Sequence, residues 1–255
     1  MDLLLGTLAL RPYVFVFLAI FLLAGAWDLG WRRTLLFGGW VWPVAWLAEF
    51  SSTRNGIPFG LYHYTGDTRE RELFIGNVPL MDSLSFTFLA YASFCLARLV
   101  WARRMPSALA ITLLSGALMM LLDVVIDPLA VRGDRWFLGR IFYYPDGGPY
   151  FGVPLSNFLG WFIVGVSGVG GYLWLRLRLA REPAAKSPEI IAMTRVWPGI
   201  ALYYAVLGFN LVMTAWIREW SLLALGVGLH TVLALVLWTI YQRPSVRLNL
   251  EKQRA

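Results

Sequence analysis

The chain has 255 residues, 58% of them hydrophobic, with 13 Trp, a formal net charge of +7 and a mean hydropathy of +0.62. That composition excludes an ordinary soluble domain and points to an all-α polytopic membrane protein. The basic residues sit in short clusters between apolar segments and form no stripe, so no nucleic-acid partner is expected.

In chain order, apolar segments fall at about 3–26, 34–50, 83–101, 107–130, 155–175, 196–217 and 221–241. Most approach the ~20 residues a spanning helix needs, which predicts about seven membrane helices in one domain covering 1–255. The first is interrupted at Arg11-Pro12; it opens with Asp2 and has neither a basic leader nor a small-residue cleavage site, so it reads as a retained helix. With seven spans, 14 of the 22 Lys/Arg fall on the face that bears Arg32–Arg33, Arg98–Arg104, residues 176–195 and the tail. That face is expected to be cytoplasmic, which makes the protein a multi-pass protein of the inner (cell) membrane with a cytoplasmic C-terminus. Residues 176–195 read as a cytoplasmic linker and 242–255 as a basic tail held at anionic lipid. Cys95, within a span, reads as a small buried hydrophobe.

The two longest connections, 51–82 and 131–154, leave from the same face, and loops of that length are usually functional. They echo each other: Gly76-Asn77-Val78-Pro79-Leu80-Met81-Asp82 resembles Gly152-Val153-Pro154-Leu155-Ser156-Asn157, and each run opens a helix. This pattern fits either an old duplication or convergence on a good helix-entry sequence. Either way, Glu49, Asp82, Asp123, Asp127, Asn157 and Asn210 are expected in one leaflet.

Within 107–130 there is no Lys or Arg, yet Asp123 and Asp127 lie one turn apart. A carboxylate inside a membrane helix costs roughly 2.5–3.5 kcal/mol, so the pair asks for a functional reason. Two desolvated carboxyls side by side share a proton, and a resident proton is what a general acid needs. The alternative is a structural pairing with Arg132, Arg135 or Arg140. Glu49 is a third acid of the same kind, with a choice between sharing in the chemistry and pairing with Arg54. Asp82 reads as an N-terminal helix cap ahead of a site residue, and Asn157 has the same ambiguity.

The histidines His63 and His230 are isolated, and no zinc, di-iron, nucleotide-binding or nucleophile–base pattern is present, so no metal and no cofactor are expected. Carboxylates, aromatics and lipid suit protonation of an apolar alkene, with ring faces stabilising the cation. Interfacial aromatic belts have the same composition.

The strings NGIPFGLYHYTG (Asn55–Gly66), GNVPL (Gly76–Leu80), LLDVVIDPLAV (Leu121–Val131) and GPYFGVPLSNFLGWF (Gly148–Phe162) resemble the bacterial and archaeal carotenoid biosynthesis family that contains the carotenoid 1,2-hydratases. The resemblance covers 46–165, the expected catalytic core. It implies a cofactor-independent hydro-lyase that adds water to the terminal C1,C2 double bond of an acyclic carotenoid ψ end group within the bilayer. On the residue chemistry above, Asp123 or Asp127 is the candidate acid for that reaction, and Glu49 is the candidate group that holds the water. Tyr62, Tyr64, Phe59, Asp82, Trp136, Phe151, Asn157 and Trp161 are candidate substrate-binding residues. Association with other carotenoid-pathway enzymes is compatible with this reading. Departures from the family pattern fall at Met81–Phe86 and Arg140–Gly148, both at the mouth of the expected site. An end-group isomerase or cyclase would form the same cation and lose a proton. A proton-coupled transporter would also use intramembrane acids, but with broken helices near mid-membrane.

Overall fold

In the computed structural model, residues 2–101, 107–179 and 195–242 are described. Eight helices occur among them: α1 (Leu3–Leu10), α2 (Pro12–Asp28), α3 (Trp31–Asn55), α4 (Leu80–Val100), α5 (Ala108–Ala130), α6 (Leu155–Leu179), α7 (Trp197–Trp216) and α8 (Trp220–Gln242). The all-α expectation is met, and α4 to α8 are each long and apolar enough to cross a bilayer. Counting α1 and α2 as one broken span makes six. The expected seven is not reached because α3, rich in Trp and Gly and carrying Glu49, is not among the sufficiently apolar helices. Most of the expected linker 176–195 and the tail beyond residue 242 lie outside the described residues.

Local chemistry explains the helix ends. Pro12 can start α2 because the first helical turn leaves its amide groups free, but it cannot continue α1, and the two helices meet at 88°. Gly56, at φ 78°, closes α3 in the left-handed conformation that glycine reaches without strain. Ser107 caps α5 by accepting the Ala110 amide at 3.1 Å.

At the centre, α3, α4, α5 and α6 each pack on the next, and α6 returns to α3. Glycines let these backbones approach. A Cβ on Gly165 would lie 2.9 Å from the Cα of Gly116 on α5, and one on Gly168 would lie 3.3 Å from Val41 on α3. Helix α2 covers α3 and α4, α7 covers α4 and α5, and α8 packs outside α7 and α5.

The two long loops are joined to each other. Strand β1 (His63–Tyr64) pairs antiparallel with β4 (Phe142–Tyr143), setting His63 opposite Tyr143 and Tyr64 opposite Phe142. Strands β2 (Phe74–Ile75) and β3 (Val78–Pro79) form a hairpin that leads into α4. The echoed runs play matching roles: Val78 and Val153 are fully buried, and Asp82 and Asn157 are each the third residue of a helix.

Arg98, expected among the cytoplasmic cations, is buried by the fold. Its guanidinium grips Asp28 at the end of α2 through two bonds of 2.6 and 3.0 Å, and the Tyr91 hydroxyl donates to the same carboxylate at 3.2 Å.

Candidate active site

The loop pairing sets the polarity of the site roof. Side chains alternate across an extended strand, so Tyr62 and Tyr64 face inward with Phe142 and Tyr144, while His63 is exposed against Tyr143. The inward rings close over a cavity of about 140 Å³ at one end of the bundle.

Four helix ends supply its carboxyl groups and one of its two side-chain amides. The C-terminal parts of α3 and α5 bring Glu49 and Asp127 to the cavity wall, and the first turns of α4 and α6 bring Asp82 and Asn157. Phe59, Tyr62, Tyr64, Trp136 and Trp161 also line it. Thus nine of the eleven expected site residues surround one space. Asp123 stands behind the wall, fully buried; its carboxyl contacts that of Asp127, and Asn157 Nδ2 donates to its Oδ2 at 2.6 Å. Phe151 is outside the cavity. Its carbonyl accepts Arg132 Nη1 at 2.8 Å, and its ring lies beside that guanidinium.

The acids are not neutralised by the arginines that sequence spacing offered. Arg132 binds the Pro128 and Phe151 carbonyls and, with Arg135, Glu219; Arg54 binds Phe50 O and Asn77 Oδ1. Tyrosines partner the acids instead. The Tyr64 hydroxyl donates to Glu49 Oε1 and the Tyr144 hydroxyl to Asp127 Oδ2, both at 3.2 Å. Tyr62 lies between them, its hydroxyl 3.5 Å from that of Tyr64 and its ring 5.8 Å from that of Tyr144. Burial, followed by the nearby Glu49 or Asp127 carboxylate, holds all three loop phenols well above the ordinary tyrosine range, so they act as donors. Among the described residues, no hydrogen-bond partner meets the buried Glu49 Oε2, Asp123 Oδ1 or Trp136 Nε1. Buried polar atoms seldom stay unpaired unless something else binds them, so this points to a site that receives a ligand or water.

Asp82 is not the N-cap of α4, a position held by Pro79. It pairs with Arg11 Nη1 at 2.8 Å, while Arg11 Nε and Nη2 bind Glu72 at 3.0 and 3.1 Å. Neither Arg11 nor Glu72 is marked as a site residue by sequence: Arg11 reads as a helix break, and only the sharp turn between α1 and α2 brings it to the cavity. The single polar signal available was an arginine inside an otherwise apolar segment.

One helical turn beyond Asp82 and Asn157 the wall is aromatic. Phe86 and Trp161 stack at 4.4 Å, with Phe59 6.4 Å from Trp161. The arrangement sets proton donors and acceptors beside aromatic rings in one cavity.

The chain is similar to known proteins along most of its length. The profile of the family described as carotenoid biosynthesis protein matches residues 2–235. Among curated relatives, a bisanhydrobacterioruberin hydratase from Haloarcula japonica is 28% identical over 242 residues, covering 91% of this chain and 74% of its own. No solved structure matches the chain.

Proposed function

Because the chain belongs to the carotenoid biosynthesis protein family, we propose that it adds water across the terminal C1,C2 double bond of an acyclic carotenoid ψ end group, giving a tertiary alcohol at C1. The observation that carries this reading is the pair Glu49 and Asp127, delivered by different helices to one aromatic-walled cavity. The hydratase name of the Haloarcula relative supports hydration as the reaction.

In this mechanism Asp127 faces the alkene and gives its proton to C2. The π electrons form the new C2–H bond and leave a tertiary cation at C1. Ring faces of Phe86 and Trp161 stabilise that charge through their quadrupoles. Water held at the unpaired Glu49 Oε2 bonds to C1 while Glu49 takes its proton. The proton gained by Glu49 equals the one lost by Asp127, so its return closes the cycle without a redox partner or cofactor. Asp123 holds Asp127 in place from behind and is itself held by Asn157. The tyrosines keep both carboxyl groups oriented as the proton moves. We place the protein in the cell membrane with α3 also spanning and the C-terminus in the cytoplasm, following the basic-residue bias.

The test is expression in a host that accumulates lycopene, with mass spectrometry of the extracted pigment. One water gained per end, lost in Asp127→Asn, is the expected result. Pigment of unchanged mass but altered absorption would assign an isomerase or cyclase instead. Hydration that survives Asp127→Asn would remove that residue as the acid.

A further inference from the structure

The cavity is too small for the substrate class it serves. Pockets for drug-sized ligands run to ~300–1,000 Å³, whereas this one measures about 140 Å³, enough for an end group and not for a long polyene. The rest of the chain must leave the cavity through some wall. The roof of loops is an unfavourable exit, since an apolar chain emerging there loses its burial at ~25 cal/mol per Å². The exit is therefore sideways, between helices.

Away from the cavity, three helix seams are closed at backbone distance by a small residue. An added Cβ would meet Val166 on α6 at 2.6 Å from Gly116, Thr34 on α3 at 2.7 Å from Gly25 on α2, and Cys95 Cβ on α4 at 2.8 Å from Gly199 on α7. Beside the cavity, the seam between α2 and α7 is made of rings instead. The rings of Tyr13 and Phe209 stack across it at 5.0 Å, and Phe17 meets Phe209 edge-on at 5.9 Å. All three rings line the cavity, and Tyr13 and Phe209 are only half-buried. Rings can swing about their side-chain bonds without moving either helix, whereas a glycine seam opens only by separating backbones.

We propose that the α2–α7 seam is a polyene-binding portal: the end group occupies the cavity while the remaining extended chain passes between Tyr13, Phe17 and Phe209 into the surrounding lipid. The proposal rests on the carotenoid reading of the substrate. It implies that the two ends of a symmetrical carotenoid react in separate visits, so a singly hydrated product forms first.

The test uses the full-length protein in detergent micelles and an acyclic polyisoprenoid with an unmodified isopropylidene end and a mid-chain diazirine. After irradiation, peptides are mapped by mass spectrometry with and without excess lycopene. Adducts on α2 and α7 that lycopene suppresses are expected. Suppressible adducts confined to other helices, or uniform labelling that lycopene does not suppress, would overturn the portal. A Tyr13→Cys/Phe209→Cys variant joined by a short bifunctional thiol reagent should lose the suppressible labelling relative to the same variant before reaction, with the single-cysteine variants as controls. Labelling at α2 and α7 with no water gained by any pigment would keep the portal and remove the hydratase reading. Hydration with labelling elsewhere would do the reverse, and absence of both would remove both.

Discussion

Tyr144→Phe isolates one step of the proposed reaction. The substitution deletes a single hydroxyl, the donor to Asp127 Oδ2 at 3.2 Å, and leaves a ring of the same shape beside Tyr62. While Asp127 carries its proton the bond is of the neutral kind, and once the proton has gone to C2 the bond is to a carboxylate. Bonds to charged partners contribute about 1.5–3 kcal/mol and neutral ones about 0.5–1.5, so the bond gains about 1–1.5 kcal/mol as the transition state forms. Its loss should slow turnover roughly five- to twelve-fold. Tyr64→Phe removes a bond of the same length from Glu49, but there the bond weakens as Glu49 accepts its proton, so no comparable slowing follows by this route. The assay is the initial rate of singly hydrated pigment in membranes at saturating carotenoid, normalised to the amount of folded protein. A Tyr144→Phe rate within twofold of wild type, together with a tenfold fall for Tyr64→Phe, would refute the assignment and exchange the roles of the two acids.

Asp127→Asn should lower turnover by roughly 10²–10⁴-fold, the usual contribution of a positioned acid, and Asp123→Asn by less because it does not line the cavity; the same pigment assay ranks them. Arg98→Met leaves Asp28 buried without its cation and should cost about 3–5 kcal/mol, a fall of roughly 6–20 °C in the thermal midpoint followed by tryptophan emission. Adding Asp28→Leu should recover most of that loss, and a double variant as unstable as the sum of the singles would contradict it. Gly160→Ala would set a Cβ 2.5 Å from Phe59 and 2.9 Å from the Pro58 carbonyl, pushing the first loop off α6. It should destabilise by roughly 1–3 kcal/mol and lower activity per folded molecule, measured by the same midpoint and pigment rate.

Hydropathy alone set the fold class and located the helices, because a bilayer demands long apolar runs with internally satisfied backbones whatever their neighbours. The acids were visible for the same reason, since charge within such runs is rare. The four quoted motifs pointed to the family because they lie in the two loops and helix ends that form the site. Tertiary structure decided what depends on side-chain direction across distant segments. It placed Asp127 on the cavity and Asp123 behind it, although the two lie one turn apart and look equivalent in sequence. It turned Arg11 from a helix break into the partner of Asp82 and Glu72, and Arg98 from a surface cation into a buried clamp on Asp28. It also left Phe151 outside the site, engaged with Arg132. Ion pairs spanning 61 to 71 residues have no local signature: which cation meets which carboxylate is fixed only when helices cross, and the desolvation that makes the match matter exists only once they have packed.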